Sequence, residues 1–254
     1  MKTGDILLEG RALSLGYGQT PVLERIDFTV RAGEFWFIVG PNGSGKSTLL
    51  KAIVGVLTPE HGEIRLDPIV LNRAQIGFVP QSCRFNPSLP TTIREFVLLG
   101  LVGVKTDRKE AAERLGWALD AVDLQGMERC DYWSLSDGQR QRALVARALV
   151  RYPSLLIMDE PAGGLDMAVE TKLMEYLGRL NQEEGITIVC VSHDLETAVR
   201  YGTQVGLVSQ RGIQTGRPLE VLTPDNLKRV YGLSLDLANG DNRLCLSAQA
   251  LRDI

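Results

Sequence analysis

Gly40-Pro41-Asn42-Gly43-Ser44-Gly45-Lys46-Ser47 has the spacing G-x-x-x-x-G-K-[ST] and follows the apolar run Phe35–Val39. Each residue type there has a physical reason. Glycines let consecutive backbone N–H groups turn toward one anion, and the start of a helix adds positive potential. Lys46 brings a point charge to β- and γ-phosphates, the Ser47 hydroxyl suits Mg²⁺, and Thr48 suits the α-phosphate. A glycine-rich turn from strand to helix needs neither the Lys nor the Ser in this register. The stretch reads as a P-loop, a cradle for the phosphates of a nucleotide.

Carboxylates for the matching chemistry stand at Asp159 and Glu160, directly after the apolar run Leu155–Met158. The end of a buried parallel strand is where ligands bind in open α/β sheets. There Asp159 suits the Mg²⁺ shell, and Glu160 suits orienting or deprotonating an attacking water. Gln81 closes Ile76–Pro80, and His193 closes Thr187–Ser192, in the same manner. An amide at Gln81 can meet the metal or the water, and an imidazole at His193 can hydrogen-bond the γ-phosphate. Taken singly, such strand ends are common and usually structural; the P-loop in the same chain makes them a site. His61 sits in a Pro-Glu-His-Gly turn and carries no functional weight.

Ser134-Leu135-Ser136-Asp137-Gly138-Gln139 opens another helix. Ser136 with Gln139 three residues on has the form of a capping box. Arg140, Arg147 and Arg151 fall near one face, with Leu144, Val145, Ala148 and Leu149 on another. By pattern alone this is equally a well-capped amphipathic helix with no ligand.

The elements that must position these residues alternate. Continuous apolar runs at 35–39, 76–79, 155–158 and 187–192 read as strands covered on both faces, as in a parallel sheet. Helical stretches lie between them at 47–56, 109–122, 139–151 and 170–181, so the fold class is α/β with a mostly parallel sheet around the P-loop. Up to about Val30 the pattern is strand-like. The segment of about 82–152 lacks buried-strand runs after a Pro-containing loop and reads as a helical insertion. Residues 1–232 form the expected nucleotide-binding domain. In the tail, 233–254, Leu233, Leu235 and Leu237 alternate with polar residues before Asn239-Gly240, which fits a small hairpin.

Composition narrows the class further. Among 254 residues, 44 % are hydrophobic and 23 % charged, which excludes wholesale disorder. A net charge of −3 argues against a surface that grips nucleic acid throughout, and no basic run tracks phosphates. The longest nearly uninterrupted apolar stretch, Phe96–Val104, is far short of the roughly 20 residues a bilayer crossing needs. Met1–Gly10 has no apolar core and reads as no secretory signal, so a membrane role is expected to be peripheral. Cys83, Cys130, Cys190 and Cys245 are scattered without a C-x-x-C pair and read as buried or inert thiols.

Gly40–Thr48, Gln81, Leu135–Gln139, Leu155–Glu160, Gly164-Leu165-Asp166 and His193 stand in the order found in ABC-transporter nucleotide-binding subunits. The resemblance spans about Leu8 to Gly232, and Leu-Ser-x-Gly-Gln ahead of an apolar-Asp-Glu strand is specific to that family among P-loop proteins. It implies a P-loop NTPase core with an N-terminal antiparallel β subdomain and an inserted helical subdomain. It also implies an ATPase that uses ATP and Mg²⁺, in which two subunits pair head to tail around two ATP molecules. Each ATP would be held by one P-loop and by the partner's Ser136, Gly138 and Gln139. Tyr17, between Gly16 and Gly18, matches the aromatic that stacks on adenine, and 164–166 matches the loop that crosses the dimer interface. Ser82–Leu99 falls where the family receives a cytoplasmic helix of the membrane subunit.

Asp137 stands where the family usually has Gly. A carboxylate near a triphosphate is repelled, yet an acid in the first helical turn is favoured by the dipole. Tolerance is expected, because Gly138 keeps the position of close approach.

The function expected from this resemblance is the ATPase of an importer, at the cytoplasmic face of the cell membrane. Its partners are integral membrane permease subunits, a second copy or a paralogous ATPase subunit, and a solute-binding protein. Leu89–Gly100 resembles the stretch in zinc/manganese importers; Leu-Ser-Asp-Gly and the ending Leu222–Gly232 resemble iron-chelate and cobalamin importers. Alternatives are the ATPase of a lipid transporter or exporter with separate membrane subunits, and a soluble ABC ATPase acting on DNA or ribosomes. The latter kind usually carries two such domains or a long coiled-coil insertion.

Overall fold

A computed structural model describes residues 4–18, 20–71, 75–81, 91–209 and 212–232. Its strands are β1 (Ile6–Tyr17), β2 (Thr20–Arg31), β3 (Phe35–Val39), β4 (His61–Leu66), β5 (Ile76–Val79), β6 (Leu155–Asp159), β7 (Thr187–Val191), β8 (Gln204–Ser209) and β9 (Gly212–Gly216). The helices are α1 (Lys46–Ile53), α2 (Pro68–Leu71), α3 (Ile93–Leu98), α4 (Arg108–Asp120), α5 (Asp137–Leu149), α6 (Met167–Glu183), α7 (Leu195–Tyr201), α8 (Pro218–Val221) and α9 (Pro224–Tyr231). The fold is α/β, with parallel pairing in the core and a separate N-terminal sheet. The expected tail hairpin, 233–254, lies outside the described residues, as do Cys83, Cys245 and the 82–90 part of the expected permease-receiving stretch. Among the described residues no helix is long and apolar enough to cross a membrane.

The chain divides into two compact units. The first comprises Met1–Leu8, Val30–Glu34 and Leu66–Cys190. Its strands follow the order β5-β6-β7, with β5 and β6 parallel from Ile76↔Leu155 to Val79↔Met158. Leu155–Met158 and Thr187–Val191 are buried throughout, as continuous apolar runs demand when both faces are covered. The expected helical subdomain is present as α3, α4 and α5 packed on one another. Phe96 of α3 stacks on Tyr132 at 4.2 Å, and the Arg147 guanidinium of α5 lies over the Phe96 ring. Arg151 Nη1 donates to the Gly100 carbonyl. Thus Arg147 of α5 and Arg151 just beyond it hold these elements together. Asp123, in left-handed backbone (φ 56), gathers three donors on Oδ2: Arg142 of α5 at 3.3 Å, and Lys172 and Tyr176 of α6, each at 3.0 Å.

The second unit comprises Glu9–Thr29, Phe35–Arg65 and Val191–Ile254. Strands β3 and β8 pair in parallel, and β9 returns antiparallel to β8. Most of β1, β2 and β4 lies here, in the order β2-β1-β4. The strand-like pattern before Val30 opens on one long strand, β1, which the left-handed Ala12 (φ 43) bends without ending. The Ala12 N–H is satisfied by Asp27 Oδ1 at 2.8 Å. Strand β8 has no uninterrupted apolar run because Gly206 sits in its middle, where a Cβ would lie 2.8 Å from Ile213 Cδ1 of β9.

Cys190 is buried and burial pushes its thiol pKa up, whereas Cys130 is exposed.

Candidate functional site

In the second unit, β3 delivers the chain into Gly40–Lys46. Gly40 has φ 154, and a Cβ there would lie 2.4 Å from the Val208 carbonyl oxygen of β8, so only glycine fits the entry to the loop. Helix α1 begins at Lys46 behind a left-handed Gly45 that offers no side-chain cap. Its first amides are thereby left to the loop and its contents. The buried Lys46 ammonium donates to the carbonyls of Gly40 at 2.8 Å and Pro41 at 3.0 Å, which holds the charge in the hollow of the loop. Ser44 Oγ is buried there without a hydrogen-bond partner, and such an atom costs on the order of 1–3 kcal/mol unless something meets it. A phosphate oxygen is the partner this hydroxyl, these amides and this ammonium have in common. Pro41, Asn42, Gly43 and Ser47 complete the loop as expected from the spacing.

Tyr17 is half exposed. Its phenol is held below the usual range, first by a hydrogen bond with the Thr48 side chain and then by Lys51, whose ammonium lies 5.9 Å from the ring centre. Sequence reasoning assigned Thr48 to a phosphate and missed this contact, which joins the ring to α1. Lys51 recurs five residues after Lys46 on that short helix, and only this spacing hinted at it. His193 is exposed in the turn between β7 and α7. The preceding Ser192 N–H donates to the Ile38 carbonyl of β3 at 3.1 Å, and Asp194 caps α7 by accepting from the Glu196 N–H.

In the first unit, Asp159 and Glu160 end β6, both half-buried. Glu160 is left-handed (φ 47), a strained conformation for this residue type. Its Oε2 accepts from Gln81 Nε2 at 2.8 Å, so these two residues beyond neighbouring strand ends touch. Downstream, Asp166 caps α6 by accepting from the Val169 N–H at 2.9 Å.

Both arms of the capping box on α5 are present. The Ser136 N–H donates to Gln139 Oε1 at 3.0 Å, and the Gln139 N–H donates to Ser136 Oγ at 3.3 Å. Such a cap stabilises a helix start by about 1 kcal/mol. Asp137 points outward, 85 % exposed, with Arg140 Nη1 3.5 Å away. Arg140 Nε itself donates to the Leu135 carbonyl at 3.0 Å. A Cβ on Gly138 would lie 2.5 Å from Val169 Cγ1 of α6. The sequence marked Gly138 as a position of close approach; that the approaching group includes Val169 had no local signal.

Lys46, Tyr17 and His193 thus belong to one unit, and Gln81, Asp159, Glu160, Ser136, Gly138 and Gln139 to the other. A buried ammonium inside a glycine loop, with an orphan hydroxyl beside it, has the form of a P-loop. The family model for ABC transporters matches residues 23–163, and the chain belongs to that family. It is an ATPase subunit of the ABC kind, binding ATP.

Among its relatives is the zinc transport system ATP-binding protein TroB of Treponema pallidum (strain Nichols). The two are 37 % identical over 227 residues, covering 87 % of this chain and 85 % of that one. The solved structure of a metal-chelate type ABC transporter in an inward-facing conformation superposes with a TM-score of 0.81 at 27 % identity, covering 90 % of each chain. A dimeric bacterial ABC transporter cassette superposes at 0.71 with 30 % identity, over 84 % of this chain and 99 % of that one.

Proposed function

We propose that the chain is the ATP-hydrolysing subunit of a membrane importer for metal ions of the zinc or manganese type. The observation that carries this reading is the 37 % identity with a zinc transport ATP-binding protein across 87 % of the chain. A metal-chelate cargo is the second reading, favoured by the metal-chelate type transporter it superposes on. The partners are integral membrane permease subunits, a second copy of this chain or a paralogue, and a solute-binding protein. The place is the cytoplasmic face of the membrane. Residues 1–232 constitute the ATP-binding domain in this reading, with 82–152 as the helical insertion.

In the proposed cycle the backbone amides of Gly40–Thr48 and the Lys46 ammonium bind the triphosphate, with Ser44 Oγ adding a hydrogen bond. Tyr17, steadied by Thr48, stacks on the adenine. Ser47, Gln81 and Asp159 would hold Mg²⁺, which neutralises phosphate charge when bound; hydroxyl, amide and carboxylate oxygens are the hard donors this ion prefers. Ser136, Gly138 and Gln139 meet the γ-phosphate of the ATP on a second subunit, closing the pair only while that phosphate is present. Glu160 accepts a proton from the water as it attacks the γ-phosphorus and the bond to the β-γ bridging oxygen breaks. The products are ADP and inorganic phosphate, and His193 hydrogen-bonds the departing phosphate. Loss of that phosphate removes the bridge and reopens the pair.

The test is affinity purification of the chain from gently solubilised host membranes, followed by metal uptake in cells lacking it. A co-purifying multi-spanning permease together with reduced zinc or manganese uptake is the expected outcome. A permease with unchanged metal content would move the reading to chelates or to a lipid or export substrate. A soluble or nucleic-acid partner would overturn it.

A further inference from the structure

Helix α4 ends in a Schellman turn. The Leu124 N–H donates to the Leu119 carbonyl at 2.9 Å, and the Asp123 N–H to that of Asp120 at 3.1 Å. Such a turn needs left-handed backbone at one residue, a place that glycine fills without strain. Here that residue is an aspartate, at φ 56. The side chain that this conformation disfavours is the one that makes the contacts. Asp123 Oδ2 accepts from Lys172 Nζ and from the Tyr176 hydroxyl, each at 3.0 Å, and from Arg142 Nη1 at 3.3 Å. The donors, Lys172 first and Tyr176 next, hold the carboxyl below the usual range, so it is ionised at neutral pH.

These donors are in step with a second contact between the same two helices. Arg142 stands one turn along α5 from Gly138, and Lys172 and Tyr176 stand one and two turns along α6 from Val169. A Cβ on Gly138 would lie 2.5 Å from Val169 Cγ1, so the helices already meet near their starts. Arg142 Nη1 also donates to the carbonyls of Val122 at 3.0 Å and Asp123 at 2.8 Å. Those two bonds fasten α5 to the turn with or without the carboxylate. What the carboxylate adds is α6. It therefore sets how the Ser136–Gln139 end of α5 sits against Val169.

We propose that Asp123 is a positioning residue of the ATPase, whose carboxylate holds the start of α5 against α6 where Ser136, Gly138 and Gln139 can meet the γ-phosphate on a second subunit. The proposal rests on the reading in which two subunits pair around ATP. The named contacts all lie in the first unit, whereas the phosphate loop belongs to the second. Loss of the carboxylate should thus weaken pairing while leaving nucleotide binding to the loop intact. An aspartate that served stability alone would not separate the two.

The experiment places Asp123→Gly, Asp123→Asn and Tyr176→Phe in the full-length chain, each with native Glu160 and again with Glu160→Gln. Asp123→Gly removes the carboxylate and relieves the backbone, and Asp123→Asn keeps one acceptor oxygen without the charge. Tyr176→Phe removes a single donor and leaves the turn untouched. Mg-ADP affinity and stoichiometry by titration calorimetry report on the phosphate loop. Sedimentation with Mg-ATP in the Glu160→Gln background gives the pairing constant, and steady-state kcat is measured with native Glu160. For Asp123→Gly the expected result is pairing weakened about ten-fold, the low end for hydrogen bonds to a charged group, with kcat lowered alike. Asp123→Asn falls between that variant and wild type, and Tyr176→Phe weakens pairing about two- to five-fold. Mg-ADP binding stays as in wild type for all three. Wild-type pairing and kcat in Asp123→Gly overturn the proposal. So does a loss of pairing matched in each variant by a loss of Mg-ADP binding, which marks a general failure to fold. A Glu160→Gln parent that does not pair with Mg-ATP removes the sandwich reading and this proposal together.

Discussion

Gln81 Nε2 donates to Glu160 Oε2 at 2.8 Å, joining the end of β5 to the end of β6 where Glu160 holds a left-handed backbone. A carboxylate kept in place by one amide retains its other oxygen for a water. The strain at φ 47 fixes the direction of that carboxylate at the expense of local stability. These two features make Glu160 and Gln81 separable by kinetics.

Glu160→Gln removes the proton acceptor of the proposed cycle while keeping the shape. Hydrolysis is expected to fall by at least about 100-fold, the lower end of what general-base catalysis contributes. ATP binding persists, and sedimentation with Mg-ATP detects a dimer that the wild type shows only transiently. A variant that stays monomeric with ATP removes the sandwich reading unless adding the permease restores pairing.

Gln81→Ala leaves the carboxylate chemistry in place but frees its orientation. The expected loss is in kcat, roughly ten-fold for a hydrogen bond to a charged group, with a small change in KM. Gln81→Glu sets two carboxylates side by side and is expected to lose more. A KM effect without a kcat effect would assign Gln81 to nucleotide binding instead.

The neighbours Asp137 and Gly138 should respond oppositely to substitution. Asp137→Gly removes an exposed side chain whose ion pair with Arg140 is worth at most about 1 kcal/mol, so activity and melting change little. Gly138→Ala forces a methyl to within 2.5 Å of Val169 Cγ1, and overpacking of that kind costs about 1–3 kcal/mol. At about 2–4 °C per kcal/mol the loss is visible in a thermal melt. Gly138→Ala combined with Val169→Ala should recover most of the stability. Equal effects at both positions would contradict the geometry.

Burial pushes the Tyr231 phenol up to about 12, against about 10 for a solvated tyrosine. The folded state holds this proton more tightly than the unfolded chain. Its contribution is therefore whole below pH about 10 and is lost as pH rises toward 12. Urea midpoints of wild type should drop relative to Tyr231→Phe between pH about 9 and about 11.5. Parallel curves for the two proteins would show the hydroxyl to be solvated.

Much of the site is legible because its chemistry needs particular backbones. Gly40, Gly45, Lys46 and Ser47 must stand in one register, and the capping box at Ser136 and Gln139 is local by nature. What escaped reading depends on distant neighbours: Val169 against Gly138, and Thr48 on the Tyr17 phenol. Strand β8 lacked an apolar run because Gly206 yields space to Ile213. Two helices had local signals that composition did not advertise. Thr92 and Glu95 form a capping box on α3, and Thr223-Pro224 with Gly232 bracket α9. Strand β1 had no such signal for its bend, since an alanine in left-handed backbone at position 12 is not announced by its residue type.

Asp123 makes one carboxylate oxygen common to α5 and α6. Both helices therefore lean on one atom: loss of the Asp123 carboxylate would strip a partner from Arg142 of α5 and from Lys172 and Tyr176 of α6 at a stroke, so the two helices would loosen together and not one at a time.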